Sequence, residues 1–360
     1  MRIVVKVGTN VLTDNSDVIQ NSVVKRLTAE IFELRQKGHE VVLVSSGAVG
    51  SGRARLPALL SVDDKQIWAA VGQPYMMQLY GKYAAEFKAE VGQLLILRSE
   101  LTDKERYVNL VEVINGMLKA GVLPIINGND VISKADLVTG DNDVLAGMVA
   151  AAIGADKLII LTNQEGFFTA DPNFDKQAKL IKEIKNVGFE LERLCSIGKS
   201  TGGRGGMLSK VRAARQATNA GVETIIADGR TEGVLAKALG SPHIGTKFLP
   251  IGAKDINEKK RWLLAAKGFG QLVVDGGAAA ALLKSKSLLL PGIISCRGMF
   301  DKGEIVEVVD KSGLAIAYGK VNYSLDEVQK ALALRKDLGR GGNLEKEVIH
   351  ADHMAVIKTP

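Results

Sequence analysis

Six short apolar runs punctuate the first 250 residues: Ile3–Val7, Val41–Val44, Leu94–Leu97, Leu123–Ile126, Leu158–Leu161 and Thr224–Ala227. Each is nearly continuous and too brief for a helix, the pattern of a strand buried on both faces. Between them the apolar period becomes helical. In Ser22–Lys37, residues Val23, Val24, Leu27, Ile31 and Leu34 fall on one face. Val108–Lys119 behaves similarly, and Asp143–Ile153 is opened by an aspartate and closed by Gly154. Strands alternating with helices predict βαβ units and a mainly parallel sheet. Ligands of such sheets bind beyond the carboxyl ends of the strands.

Near residue 240 the pattern breaks. Gly240–Pro242, Gly245, Pro250 and Gly252 punctuate a stretch without period, followed by the charged run Glu258–Trp262. Residues 241–260 are therefore expected to be a linker. Beyond it, β-like runs at Gln271–Val274, Ile305–Val309 and Leu314–Tyr318 surround helical stretches at Ala278–Lys284 and Ser324–Ala333. The expected organisation is an α/β domain over 1–240 and a small, mostly β domain over 261–360.

A chain of 360 residues with 46% hydrophobic and 24% charged residues has material for a sizeable core, which excludes a disordered protein. Its 47 Lys and Arg exceed its 40 Asp and Glu, a net charge of +7. Residues 256–360 hold 16 of the former and 12 of the latter, with no run of like charge. That reads as a mixed solvated surface. Cys195 and Cys296 are too few for a disulfide framework or a Cys-based metal site and are expected to be buried thiols. The start MRIVVKVGTN is unlike a secretory leader, and no apolar run approaches the ~18 residues of a membrane span. A cytoplasmic protein without membrane attachment is expected.

The chemistry-bearing residues gather at the ends of the expected strands. Lys6 lies at the end of the first, with Gly8 just after Val7, an arrangement suited to an anion. Ser45 and Ser46 precede Gly47, Gly50 and Gly52; Asn127, Gly128, Asn129 and Asp130 follow another strand. Gly140–Asp143 opens a helix with more polar side chains than a cap requires. Thr162 and Asn163 lead into a loop with Phe167 and Phe168, a candidate wall for a purine. Gly202–Gly206 precedes a helix whose first turns carry Lys210. Glycines, a helix N-terminus and a lysine make a phosphate-binding proposal. Taken singly, the shorter glycine motifs read equally well as tight turns. Taken together, two separated lysines, glycine-rich ends and an acid–amide cluster fit phosphoryl transfer, which needs positioning and charge neutralisation more than a protein nucleophile. The four histidines lie outside these motifs and have no ligand spacing.

The order of the motifs resembles the amino acid kinase family. The resembling stretches are Lys6–Thr13, Val44–Gly52, Ala69–Gln73, Ile126–Asp130, Gly140–Asp143, Gly166–Pro172 and Gly205–Lys210, and the tail from Lys260 through Val309 resembles a PUA domain. The resemblance implies a three-layer αβα kinase domain and a PUA-like domain. It implies ATP with Mg2+ carried by the nucleotide, no metal held by protein side chains, and L-glutamate phosphorylated on its γ-carboxylate, at the start of proline biosynthesis. Lys6, Lys210 and Asp143 are the implied catalytic residues, the aspartate orienting the lysines. Ser46, Asp130 and Asn142 would hold glutamate, with Asn127 in support. Lys6, Gly8, Thr162, Asn163 and the loop Arg204, Gly205, Gly206, Met207, Leu208, Ser209 and Lys210 would bind ATP. Asn163, Gly128 and Arg204 depart from the pattern: an Asp, an acidic residue and a small or hydroxyl residue are expected there. The implied partners are a second copy or copies of the chain, as dimer or tetramer, and a separate reductase that takes the acyl phosphate. The alternatives are an aspartate, acetylglutamate, carbamate or uridylate kinase of the same fold, or an RNA-binding protein acting through the PUA-like tail.

Overall fold

A computed structural model describes residues 1–14, 18–56, 65–132, 142–172, 174–185, 187, 191, 195, 206–240, 244–251, 258–338 and 347–356. The chain divides into two compact units, Met1–Asp255 and Ile256–Pro360. The first runs β1 (Arg2–Val7), α1 (Thr9–Leu12), α2 (Asn21–Gln36), β2 (Glu40–Ser45), α3 (Ala48–Arg53), α4 (Lys65–Ala85), β3 (Val91–Ile96), α5 (Arg98–Thr102), α6 (Lys104–Lys119) and β4 (Leu123–Gly128). It continues through α7 (Asn142–Ala152), β5 (Lys157–Thr162), β6 (Glu183–Ile184), α8 (Met207–Asn219), β7 (Glu223–Asp228), α9 (Val234–Leu239) and β8 (Thr246–Phe248).

The eight strands form one sheet in the order β3-β4-β2-β1-β5-β7-β8-β6. All neighbours are parallel except β7 and β8. From β1 the chain fills the sheet first on one side, with β2, β4 and β3, and then on the other, with β5 and β7. The register aligns the carboxyl ends: Val7 lies beside Ser45 and Leu161, and Thr162 beside Asp228. The crevice beyond these ends, where the strand order reverses, is where an open α/β sheet takes its ligand.

Alternation along β1 decides which layer each side chain meets. Ile3, Val5 and Val7 point into a core shared with Leu27 and Ile31 of α2, Leu79 of α4 and Leu235 of α9. Lys6 is of opposite parity and faces the layer of α7 and α8. Helices therefore cover both faces of the sheet.

The longest helix, α4, carries no clear signal in the sequence. Its buried residues follow a helical stripe through Trp68, Ala69, Gly72, Gln73, Met76, Leu79, Tyr80, Tyr83 and Ala84. Gly72 and Gln73 blank that stripe in an apolar reading, and Pro74 is a helix breaker by propensity. The glycines have a packing reason. A Cβ on Gly72 would sit 1.9 Å from the Ala48 carbonyl oxygen, and one on Gly52 1.8 Å from that of Trp68. The backbones of α3 and α4 touch at these two points.

Other expectations shift. Strand β3 begins three residues before the apolar run expected there. The stretch expected to be linker contains β8, whose Phe248 is fully buried against the sheet. Its last residues, Glu258 onward, are helical. A three-residue strand is too short to show period, and its order comes from pairing with β7. Phe167 does not stand as a purine wall: it is buried edge-on against Phe248, with ring centroids 6.5 Å apart. The two cysteines form no disulfide and are half-buried rather than enclosed.

The second unit comprises α10 (Glu258–Ala266), β9 (Lys267–Val274), α11 (Gly276–Leu283), β10 (Ile293–Arg297), β11 (Ile305–Val309), β12 (Ala315–Val321), α12 (Leu325–Leu338) and β13 (Ile349–Val356). Its sheet order is β10-β9-β11-β12-β13, antiparallel except for β9 with β11. It has a core of its own around Leu272, Leu282, Val306, Val308, Ile316, Val328 and Ile349.

Candidate active site

Helices α7 and α8 meet through small residues. A Cβ on Gly147 would lie 2.7 Å from the Ala213 carbonyl oxygen, so the two backbones are nearly in contact. One turn toward the N-terminus of each helix stand Asp143 on α7 and Ser209 and Lys210 on α8. The helical spacing of four residues puts Asp143 above Gly147. The close approach therefore brings Asp143 onto the first turn of α8.

Asp143 is 1% exposed and forms ion pairs with both lysines. Lys6 Nζ lies 2.5 Å from its Oδ1, and Lys210 Nζ lies 2.9 Å from its Oδ2. The lysines come from β1 and α8 and are 5% and 7% exposed. Ser209 Oγ lies 2.9 Å from both Oδ2 and the Gly206 carbonyl oxygen, two acceptors for its one proton. Burial pushes the Asp143 carboxyl upward. The charges of Lys210 and Lys6, with their hydrogen bonds, outweigh it and hold the group below the usual carboxylate range. One buried anion thus sits between two buried cations, and the trio carries an excess of positive charge for an incoming anion.

The neighbouring residue, Asn142, organises the strand ends on the other side of β1. Its Nδ2 donates to the Asn127 side chain at 2.7 Å, to the Ser45 carbonyl at 3.0 Å and to Ser46 Oγ at 3.2 Å. Its Oδ1 accepts from the Gly128 amide at 3.2 Å, and that amide also donates to Asn127 Oδ1 at 2.9 Å. Asp130 lies at the same place: a Cβ built on Gly128 would be 3.3 Å from both the Asp130 and the Asn142 side-chain oxygens. Glycine at 128 leaves that space open. Gly47, with φ of +99°, turns the chain from β2 into α3, a conformation that favours glycine.

Gly8 joins the two halves, its amide donating to the Leu161 carbonyl at 3.1 Å. Thr162 and Asn163 follow Leu161 at the end of β5. Thr162 is buried, and its carbonyl accepts from the Gly229 amide at 2.8 Å. Gly206 is the exposed N-cap of α8, with Met207 and Leu208 half-buried in its first turn. Arg204 and Gly205, and Gly140 and Asp141, lie outside the described residues.

The predicted residues therefore form two contiguous groups, Lys6–Asp143–Ser209–Lys210 and Ser46–Asn127–Asn142, with Asp130 beside the second. Asn142 and Asp143 are chain neighbours and link them. No motif in the sequence points to Arg230. Its guanidinium donates to the Asn163 carbonyl at 3.1 Å and grips Asp228 with Nη2–Oδ2 at 2.6 Å and Nε–Oδ1 at 2.9 Å. The available signal was positional: Asp228 closes β7 as Thr162 closes β5.

The profile of the amino acid kinase family matches residues 1–228, and that of the PUA domain matches 270–336. Glutamate 5-kinase of Vibrio vulnificus is 40% identical over 99% of this chain and 96% of its own length. Glutamate 5-kinase of Caldanaerobacter subterraneus is 39% identical over 99% and 98%. Among solved structures, carbamate kinase from Giardia lamblia bound to AMP-PNP is 21% identical, with a TM-score of 0.50 over 69% of this chain and 97% of that one. That likeness concerns the fold.

Proposed function

This chain belongs to the amino acid kinase family, with a PUA domain after the kinase domain, and we propose that it transfers the γ-phosphoryl group of ATP to the γ-carboxylate of L-glutamate. The products are L-glutamyl 5-phosphate and ADP, and the reaction opens proline biosynthesis. The observation that carries this reading is the buried Lys6–Asp143–Lys210 trio beside the polar network of Asn142. Similarity to glutamate 5-kinases over nearly the whole chain selects the acceptor.

A γ-carboxylate has an ordinary pKa of about 4.3 and is ionised at neutral pH, so no general base is required. The obstacle is repulsion. Two like charges ~4 Å apart repel by roughly 4 kcal/mol at an effective dielectric near 20. Lys6 and Lys210 offset this by contacting the transferring phosphoryl group, in a site already ordered by Asp143. Ser46 and Asn142 hold glutamate with Asn127 behind them, and the Asp130 carboxylate pairs with its ammonium. Gly8, Thr162, Asn163 and the 204–210 segment receive ATP, and Arg204 adds positive charge there. Mg2+ carried on the ATP phosphates would neutralise part of their charge. The Asp143 oxygens are engaged by Lys6, Lys210 and Ser209 and are not read as its ligands.

Catalysis is assigned to 1–240 and the PUA-like domain to 261–360. The reaction is placed in the cytoplasm, with the chain working as a dimer or tetramer and a separate reductase consuming the acyl phosphate. Among the described residues no helix is long and apolar enough to cross a membrane.

The test is ATP consumption with Mg2+ and hydroxylamine, reading hydroxamate. L-glutamate is expected to give hydroxamate, whereas N-acetylglutamate, aspartate and UMP are not turned over. Turnover of one of those in place of glutamate, or of none of the four, overturns the reading.

A further inference from the structure

Helix α4 sends two polar side chains to the strand ends that carry Ser46 and Asp130. The Tyr80 hydroxyl lies 2.9 Å from Ser45 Oγ, and Ser45 Oγ donates to the Ser46 carbonyl at 3.2 Å. Further along α4, Gln66 Nε2 donates to the Val131 carbonyl at 2.6 Å, one residue beyond Asp130. Both ties end on loops that the proposed function gives to glutamate.

The two hydroxyls share one buried hydrogen bond in which either can donate. Burial pushes the Tyr80 phenol up to about 12, against the opposing effect of the bond to Ser45, so the phenol keeps its proton through the neutral and mildly alkaline range. Asn142 grips the same dipeptide from the α7 side, at the Ser45 carbonyl and Ser46 Oγ. Residues 45 and 46 are thus held from two helices at once. The α4 backbone has its own anchorage in the glycine contacts with α3 and in Met76, Leu79 and Tyr83. The hydroxyl of Tyr80 and the amide of Gln66 are additions to that packing.

We propose that Tyr80 and Gln66 of α4 are positioning residues for the carboxylate substrate, fixing Ser46 and Asp130 at the ends of β2 and β4. The inference rests on the assignment of those two residues to glutamate. It deepens that reading by adding α4 to the elements that hold those two residues in place.

The experiment is steady-state kinetics of the full chain carrying Tyr80→Phe, Ser45→Ala, both together, Ser45→Thr, Gln66→Ala and, as the control on the assignment, Asn142→Ala. Loss of one such hydrogen bond is expected to raise the KM for glutamate about five- to tenfold. The KM for ATP should stay within about twofold, a split that a general loss of packing would not give. The Tyr80→Phe/Ser45→Ala pair should be no worse than Ser45→Ala alone, because that change already removes the tie to Tyr80. Ser45→Thr should keep the wild-type value, and Gln66→Ala should add to Tyr80→Phe, because it acts on another strand end. A glutamate KM within twofold of wild type in Tyr80→Phe and Ser45→Ala, while Asn142→Ala raises it, overturns the inference and leaves the assignment standing. An unchanged glutamate KM in Asn142→Ala overturns the assignment and the inference with it. Should Tyr80→Phe fold poorly, Ser45→Ala carries the same test, since it removes only a hydroxyl.

Discussion

Lys6, Asp143 and Lys210 are far apart in the chain and share less exposed surface than one ordinary surface side chain. A buried charge is tolerable only when paired, and removing one partner leaves the others uncompensated. The two ends of this trio should therefore respond differently to substitution. Lys210→Ala leaves Asp143 paired with Lys6; it is expected to abolish activity in the hydroxamate assay while the fold survives. Asp143→Ala removes the buried carboxylate that both lysines face and is expected to cost about 3–5 kcal/mol, read from urea midpoints at pH 7. The sign with pH follows from the direction of the shift. The Asp143 carboxyl lies below its ordinary value in the folded state, so its contribution is present above about pH 4 and is lost as pH falls through the folded value. The gap between wild type and Asp143→Ala should hold from pH 7 to about 4 and close below that. At this scale the residue types are readily legible. A lysine at a strand end and an aspartate opening a helix are visible, but their pairing is not, because nothing local links position 6 to 143 or 143 to 210.

At the scale of elements, the central strands of the first sheet were legible because they are buried on both faces, and an apolar run then has one economical home. β1, β2, β4, β5 and β7 fall within a residue or two of the runs that announced them. Edge and short strands were less legible. β3 is an outer strand and half-exposed, and β6, at the other edge, and β8 have two and three residues. Helix α4 was hidden because its face toward α3 is built from glycine, whose role is the absence of a side chain. The same device at the α7–α8 contact gives a prediction. A methyl on Gly147 meets a backbone oxygen at 2.7 Å, with no flexible side chain to yield. Gly147→Ala should push α8 and its Lys210 away from Asp143. The expected result is a kcat lowered about 10²-fold, the scale of a misplacement near 1 Å, with destabilisation of about 1–3 kcal/mol from overpacking. Unchanged kcat would mean that the contact has slack.

At the scale of the whole chain, every residue assigned to catalysis or binding lies within Met1–Asp255, and each of the two units has a core of its own. A chain ending at Asp255 is therefore expected to fold and to form hydroxamate from glutamate with a kcat within about tenfold of the full chain. Loss of activity in a folded truncation would assign the second unit a part in the reaction. What the sequence determined by itself was the local chemistry: a βαβ alternation, a change of texture near 240, and polar side chains at the ends of apolar runs. These follow from period and propensity, which are properties of neighbours in the chain. The boundary of the first unit was not among them, because β8 shows itself only by pairing with β7. Nor were the partners of Lys6, the grip of Asn142 on Ser45, Ser46 and Asn127, or the reach of Tyr80 and Gln66 to the strand ends. Those were decided by tertiary structure. A parallel sheet sets its carboxyl ends side by side, and close-packed helices then bring charges from distant positions to one buried carboxylate.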